Sequence, residues 1–452
     1  MFMAMASSGK KLVAVLQLTA NQCKAANFKI CESLITDAKK RGAEMVFLPE
    51  GFDYIAESSQ ESAAMSEPLE GTTMTSYRDL AKRLGVWLSL GGFHLKNNCD
   101  SRMHNCHVVL NSAGDVVATY AKTHLFDVNI PGKVSLSESR YCIPGTKVAP
   151  PVEAPVGKVG LMCCYDLRFP ELSGLLAQKG AEILTYPSAF TKVTGEAHWE
   201  ILLRARAIEN QCYVVAAAQA GQHNARRQSY GHSMIVDPWG AILAQCDETP
   251  GIALAEIDLE RLRDIRRNMP TQSHRRDDLY HLRTAPEVLD ESTIEKHDFG
   301  GHLISKKEVF FETTLSLAFV NLKPVVPGHS LVIPKRSVKK FNELSSEEMA
   351  DLFYVVQRVG SMLEKRYGVN SLTIAIQDGY DAGQTVKHLH VHLLPRRPDD
   401  FEKDEVYKEL ESHDKGENRR ARTPQEMAAE AVELRLLMYG QPTGNKAAHG
   451  TG

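Results

Sequence analysis

The 452-residue chain reads as two domains of different class: an α/β layered domain around a mostly buried sheet, then a smaller α+β domain on an antiparallel sheet. Three observations predict this. The length exceeds what one ordinary core serves. From residue 12 to the segments near Met234 and Leu243, short apolar runs alternate with amphipathic ones, as in a sheet covered by helices. From Val309 onward, three strand-like runs follow one another with only turns between them, as in a meander. The composition, 43% hydrophobic and 24% charged with net charge -3, gives no global pull toward nucleic acid or membrane. No run approaches the roughly 20 apolar residues that span a bilayer. All nine Cys lie before residue 247 and none forms a CxxC pair, which argues against a disulfide framework or zinc ribbon. A reducing compartment, the cytoplasm, is expected. The start, MFMAMASSGKK, reads as a frayed tail, with a short organelle presequence as the alternative.

Residues 12–18 form the first expected strand, and Asn27 is expected to cap a helix through Arg41 with Ile30, Leu34 and Ile35 on one face. Gly42 ends it. Residues 45–48 make a short buried strand that stops at Pro49-Glu50, placing a carboxylate where α/β sheets put their chemistry. A helix over 74–84, a strand over 86–90 and a hairpin turning at 111–115 follow. The second arm, 116–121, ends in Lys122. Glu50 alone reads as a surface acid and Lys122 as a solvated cation, and nothing local separates Glu138, in a polar loop, from a surface acid.

The stretch 160–171, GLMCCYDLRFPE, breaks a buried strand into a thiol, an acid, an Arg and a Pro. Val159, Leu161 and Met162 suit the strand, Pro170 suits a helix's first turn, and Leu172, Leu175 and Leu176 give that helix an apolar face. Cys164 thus sits at a strand-to-helix elbow, where the helix N-terminus is expected to lower its pKa from about 8.5. A Cys after an apolar run is more often a buried structural thiol. Strand 182–186, helix 197–210 and strand 212–217 continue the alternation.

Glu50, Lys122 and Cys164 all follow strands of this sheet. Together they suffice for acyl transfer, with Glu50 as base, Cys164 as attacking thiol and Lys122 as fixed positive charge for the oxyanion, without metal or cofactor. The segments Phe47-Leu48-Pro49-Glu50, Lys122 to Asp127, Cys164 to Glu171 and His198 to Asn210 closely resemble the Nit branch of the nitrilase (carbon-nitrogen hydrolase) superfamily. The resemblance covers residues 11–282. It implies an αββα sandwich that dimerises, the triad Glu50, Lys122 and Cys164, Glu138 as a second acid, and Cys163 as a bystander. It also implies an amidase acting on deaminated glutathione, whereas residue chemistry alone supports an amide or nitrile.

Residues 261–276 are rich in Arg, and a polar stretch, 284–296, follows. This reads as a linker region at 283–296, preceded by a solvated Arg face that no aromatics interleave, which argues against a nucleic-acid site. Strands are expected at 309–312, 315–322 and 330–333, a capped helix at 345–366, and strands at 373–376 and 387–395. The last carries His388, His390 and His392, which a period of two places on one face.

Three imidazoles on one strand can ligate zinc or do phosphoryl chemistry. No Cys or acid cluster lies near in sequence, and Gly383-Gln384-Thr385 offers donors of the kind that hold phosphate oxygens. Phe319-Val320-Asn321, Lys323 to His329, Gln377-Asp378-Gly379, Gly383 to Lys387 and His388 to Arg396 closely resemble the fragile-histidine-triad branch of the histidine-triad nucleotide hydrolases. The domain is placed at 297–440, with a disordered tail at 441–452. The resemblance implies His390 as nucleophile, oriented by His388, and His392 with Gly383, Gln384, Thr385 and Val386 at the phosphates. His302, Asn321 and Gln377 contact the nucleotide, and His329 is the supporting fourth His. It further implies hydrolysis of diadenosine triphosphate to AMP and ADP, with a divalent cation (Mg or Mn) accompanying the nucleotide. Gly379-Tyr380-Asp381-Ala382 departs from the family pattern, being bulkier. The whole chain resembles invertebrate fusions of the two families, and self-association of both domains points to a homotetramer. Its expected partners are small molecules, neither nucleic acid polymer nor membrane. A competing reading is a nucleotide-binding signalling scaffold with slow turnover.

Overall fold

The structure is a computed structural model, and it describes residues 9–97, 100–131, 134–276, 279–280, 282, 296–398, 400–402, 405–412 and 419–439. It divides into two compact units, Met1–Thr284 and Ala285–Gly452. Of the expected tails and linker, residues 1–8, 283–295 and 441–452 lie outside the described residues, while Lys10 already belongs to the first strand and Lys296 to a hairpin.

The first unit holds two six-stranded sheets. In one, Lys10–Gln17 pairs in parallel with Met45–Leu48, which pairs in parallel with Trp87–Lys96. Antiparallel strands Gly251–Asp258, Met103–Leu110 and Val116–Ala121 complete it. In the other, Gly157–Leu161, Ile183–Thr185 and Tyr213–Ala216 are parallel neighbours. The pleat sorts the apolar runs. Val13, Val15, Met45 and Phe47 face the second sheet's core, while Ala14, Leu16, Val46 and Leu48 pack on helices Lys24–Lys40 and Thr72–Leu84. Continuous apolar strands are what such two-sided burial requires. With Pro170–Gln178 and Lys192–Asn210 covering the second sheet, the layers are αββα.

The structure departs from the sequence expectation at Asn27 and in the Arg-rich stretch. Asn27 is not a cap: the helix starts earlier, behind Cys23, and the buried Asn27 amide donates to Asn21 O and Asp53 O at 2.7 and 2.9 Å. The Arg-rich face is not wholly solvated, because helix Leu259–Asn268 buries Leu262. Arg266 donates to Ala181 O at 2.8 Å, and Arg261 to the buried Asp237 at 2.8 Å.

The second unit has a five-stranded antiparallel sheet in the order Val309–Glu312, Ser316–Val320, Ser330–Pro334, Val391–Pro395, Leu372–Ile376. Helix Ser346–Tyr367, started by a capping box from Ser345 and Glu348, covers one face with helix Pro424–Tyr439. A hairpin, Lys296–Phe299 with His302–Ser305, packs Phe299 and Ile304 on the other. The last strand begins at Val391, so His388 and His390 lie in the irregular segment before it rather than within the ladder. Among the described residues no helix is long and apolar enough to cross a membrane.

Candidate active sites

In the first unit the chain leaves strand Gly157–Leu161 and turns at Cys164, whose φ of +46° lies in the left-handed region. Holding a side-chain-bearing residue there costs about 1–3 kcal/mol, so its neighbours must over-determine it. Cys164 N–H donates to Pro187 O at 2.9 Å, and the buried Arg206 donates from Nε and Nη2 to Leu167 O at 3.1 and 2.8 Å. The buried Asp166 accepts from Cys163 N–H at 2.9 Å, Tyr120 Oη at 2.8 Å and His124 N–H at 3.1 Å. The elbow is thereby stitched to the segment after Lys122. Around it, His124 stacks on Phe169 with centroids 3.7 Å apart, and Arg168 lies over Phe190 at 5.4 Å.

Glu50, Lys122 and Glu138 meet in one buried cluster, with the buried Cys164 close enough to Glu50 and Lys122 for their charges to act on its thiol. Lys122 Nζ donates to Glu50 Oε1 at 3.0 Å and to Glu138 Oε2 at 2.8 Å. Asn105 Nδ2 donates to the same two carboxylates at 2.7 and 3.0 Å, and Ala189 N–H donates to Glu50 Oε2 at 3.0 Å. Glu138, which looked like a surface acid by its local sequence, is 6% exposed and accepts from Phe126 N–H at 2.7 Å. Cys163 is buried beside Cys164, its Sγ 3.6 Å from Glu50 Oε1.

The electrostatics reverse one expectation. Burial first, then the Glu50 carboxylate, push the Cys164 thiol far above its usual range, against the pull of Lys122. Burial also pushes Glu50 up, but the Lys122 ammonium and hydrogen bonds from Cys164 and Lys122 outweigh it and hold the carboxyl at about 2. Lys122, opposed by burial, is kept well above the ordinary range by Glu138 and Glu50. The resting pair is therefore thiol and carboxylate, not thiolate and acid. The expected helix-terminus effect fails because the elbow opens into a five-residue 3-10 turn, Cys164–Arg168, before the α-helix begins, and the thiol faces an anion.

Several site-building residues escape sequence reasoning. Asn105 lies in an almost wholly buried strand, where a lone amide has no local signature. Gly91 and Gly92 break the register of strand Trp87–Lys96 between Leu90 and Phe93. A Cβ on Gly92, at φ +65°, would stand 2.7 Å from both Cα and Cγ of Glu50. Behind the elbow, His107 Nδ1 lies 2.9 Å from Met162 O and Nε2 2.6 Å from Ser89 Oγ. The carbonyl can only accept, so the ring donates from Nδ1 and accepts from Ser89. The Gly-Gly pair was the one usable signal, since paired glycines inside a strand mark a bulge.

In the second unit hydrogen bonds set the tautomers. Val325 N–H donates to His329 Nδ1 at 3.1 Å, so a neutral His329 carries its proton on Nε2, which lies 2.9 Å from His392 Nδ1. His392 in turn carries its proton on Nε2. His390 Nδ1 lies 2.7 Å from His388 O and must donate to it, which puts the lone pair of a neutral His390 on Nε2. His388 thus holds His390 through its carbonyl. Its own ring meets Pro334 O at 2.9 Å through Nε2, and burial lowers its pKa. His390 and His392 are adjacent, with ring centroids 4.8 Å apart.

The other expected contacts are distributed around this pair. Asn321 Nδ2 lies 3.4 Å from His329 Nε2, and Gln377 Nε2 sits under the Gly383 turn. The Gln384 side chain is engaged within its own loop, accepting from Gly379 N–H at 2.9 Å and donating to Lys339 O at 3.0 Å and His388 O at 3.3 Å. Thr385 is exposed, and Val386 packs by Gly300 at the hairpin turn. His302 is exposed on that hairpin, whose Phe299 lies edge-on to His390 at 5.3 Å, a contact the sequence did not suggest.

The Carbon-nitrogen hydrolase family matches residues 12–267 and the HIT domain matches residues 304–399, which makes the chain a carbon-nitrogen hydrolase joined to a histidine-triad domain. The "Nitrilase and fragile histidine triad fusion protein NitFhit" of Caenorhabditis elegans is 48% identical over 433 residues, covering 96% of this chain and 98% of the relative. Its crystal structure superimposes with a TM-score of 0.78 at 47% identity, covering 96% of this chain and 100% of that one. The chain belongs to the family of nitrilase and fragile histidine triad fusion proteins. Its first unit is also similar to the "Deaminated glutathione amidase" of Rattus norvegicus, 57% identical over 272 residues, which cover 60% of this chain and 83% of the relative.

Proposed function

We propose that the first unit hydrolyses a small amide, deaminated glutathione, through a Cys164 acyl-enzyme. The observation that carries this is the buried contact of Glu50 with both Lys122 and Cys164. As Cys164 Sγ bonds to the amide carbon, its proton passes to Glu50, and the carbonyl oxygen becomes an oxyanion facing the Lys122 ammonium. Collapse breaks the C–N bond and Glu50 returns its proton to the departing nitrogen. Water then attacks the thioester while Glu50 takes a proton from it, releasing the acid and restoring the thiol. Glu138 holds Lys122 in place. Similarity to deaminated glutathione amidases supports the choice of substrate. Trapping tests it: the intact mass of wild-type protein should rise by the acyl group on rapid acid quench, and Cys164→Ala should show no adduct.

The second unit is read as a dinucleoside polyphosphate hydrolase that cleaves diadenosine triphosphate. The hydrogen-bond chain supports this, because it leaves His390 with a lone pair on Nε2 and His392 with a donor on Nε2. Nε2 of His390 attacks the α-phosphorus, an N–P bond forms, the bridging P–O bond breaks and ADP leaves; water then opens the nucleotidyl-histidine to AMP. His392 and Thr385 steady the phosphate oxygens, and Gln384 holds the loop that presents them. Asn321, Gln377 and His302 contact the nucleotide. A divalent cation, Mg or Mn, belongs to the polyphosphate substrate. His390→Asn should bind the dinucleotide nearly as well as wild type yet turn it over at least about a thousandfold more slowly. If the three His variants instead fall equally and each loses a bound metal, the triad is a zinc site. The same reading places the protein in the cytoplasm, where a reducing milieu keeps Cys164 a thiol, as a homotetramer.

A further inference from the structure

The departure at Gly379-Tyr380-Asp381-Ala382 forms a single 3-10 turn, Tyr380–Ala382, entered at Gly379 and left at Gly383, whose φ values of +106° and +90° favour glycine. The turn is pinned rather than loose. Ala382 N–H donates to Gly379 O at 3.1 Å and Gly383 N–H to Tyr380 O at 3.0 Å. Gln384 closes it by accepting from Gly379 N–H, and its amide reaches His388 O, the carbonyl that also holds His390 Nδ1. The turn and the proposed nucleophile therefore share one anchor. On this turn Tyr380 is 91% exposed, more than any other large apolar side chain among the described residues. Lys340 lies against the same turn, since a Cβ on Gly379 would stand 2.9 Å from its Nζ. Asp381 is exposed on the turn and Asp378 accepts from Phe341 N–H, so the charge there is mixed, with the ammonium beside the backbone.

A dinucleoside polyphosphate has two bases and one chain of phosphates. On the hairpin side of the histidines, Phe299 lies edge-on to His390 at 5.3 Å, so an apolar ring already borders the site there. One of the two bases travels with the departing nucleotide, and an exposed ring on the turn anchored to His388 O is placed to meet it. A flat ring that stacks on any base suits a product that has to leave. We propose that Tyr380, with Lys340 beside it, is the subsite for the second nucleoside: the phenol ring stacks on its base and the ammonium faces its phosphates. This rests on the reading of the triad as a nucleotidyl-transfer site.

The test compares kcat/KM for diadenosine triphosphate, with two bases, and for ATP, with one, in the full chain. Stacking on an aromatic ring is worth about 1–3 kcal/mol per base, so the ratio of the two values should fall about five- to a hundredfold in Tyr380→Ala. It should stay within about twofold of wild type in Tyr380→Phe, which keeps the ring. Lys340→Gln should lower kcat/KM for the dinucleotide. A ratio unchanged in Tyr380→Ala, or one lost equally in Tyr380→Phe, overturns the subsite while leaving the triad reading intact. If His390→Asn hydrolyses both nucleotides as wild type does, the triad reading itself fails, a separate outcome.

Discussion

Two adjacent thiols, Cys163 and Cys164, lie against the same carboxylate, and the backbone distinguishes them. Cys163 is fully buried, and its sulfur also lies 3.6 Å from Asn105 Oδ1 and 3.7 Å from Pro187 O. Cys164 is lifted by its left-handed φ to the lip of the core, 7% exposed. Cys164→Ala should lower amide hydrolysis by more than about a thousandfold, as nucleophile deletions do, whereas Cys163→Ala should stay within about tenfold because only a supporting contact is lost. Steady-state assays of both variants check this, and the reverse order would refute the assignment. The pH profile tests the electrostatics. With Glu50 held at about 2 and Cys164 pushed far up, kcat/KM for the amide should be flat between about pH 5 and 8. A reactive thiolate titrating near neutrality would give a rising limb there. Glu50, Lys122 and Cys164 were legible because each follows a buried strand and sits in a specific motif. The direction of the thiol shift was not, because burial and the Glu50 charge come from another part of the sequence.

What the sequence does not reveal about strands and helices is mostly what one of them does to another. The strands and the helix Ser346–Tyr367 were readable from apolar runs and a capping Ser. The hairpin at Lys296–Phe299 was not, since its polar composition resembles a linker until Phe299 and Ile304 find a sheet to cover. The bulge at Gly91-Gly92 is the clearest case of an element built for the site. Adding a methyl at Gly92 would drive into Glu50, and a misplacement of about 1 Å can cost about a hundredfold in rate. Gly92→Ala should therefore lower kcat by about that factor while the circular dichroism of the folded protein is unchanged. Near-normal activity would mean the bulge is indifferent to Glu50.

Exposed apolar residues recur along helix Lys192–Asn210: Val193, Ile201 and Ile208 are 41, 71 and 47% exposed. Trp239 at 60% and Leu243 at 44% add to this exposed set in the first unit. Light scattering of the full chain should report a homotetramer, and Ile201→Asp should reduce its mass; a wild-type monomer at micromolar concentration would contradict the expectation. Acid should weaken the first unit through His107, which burial lowers from 6.5 to about 4. Between those values the unfolded chain binds a proton that the folded one refuses, so stability falls as pH drops through that window, by about 3 kcal/mol at most from this residue. Denaturant midpoints at pH 7 and 4.5 should differ less in His107→Gln than in wild type.

The Glu50, Lys122 and Glu138 cluster keeps its formal charge constant through the cycle proposed for it. At rest it holds two carboxylates, one ammonium and a neutral thiol. In the proposed reaction, Glu50 becomes neutral as sulfur attacks and the oxyanion appears, and it regains its charge as the oxyanion collapses and the nitrogen departs with its proton. Every stage carries the same total of minus one. A pocket walled off from water would face its largest penalty if it had to create or discharge net charge at each step. Here the charge only moves between neighbours, and the cost of burying it belongs to folding alone.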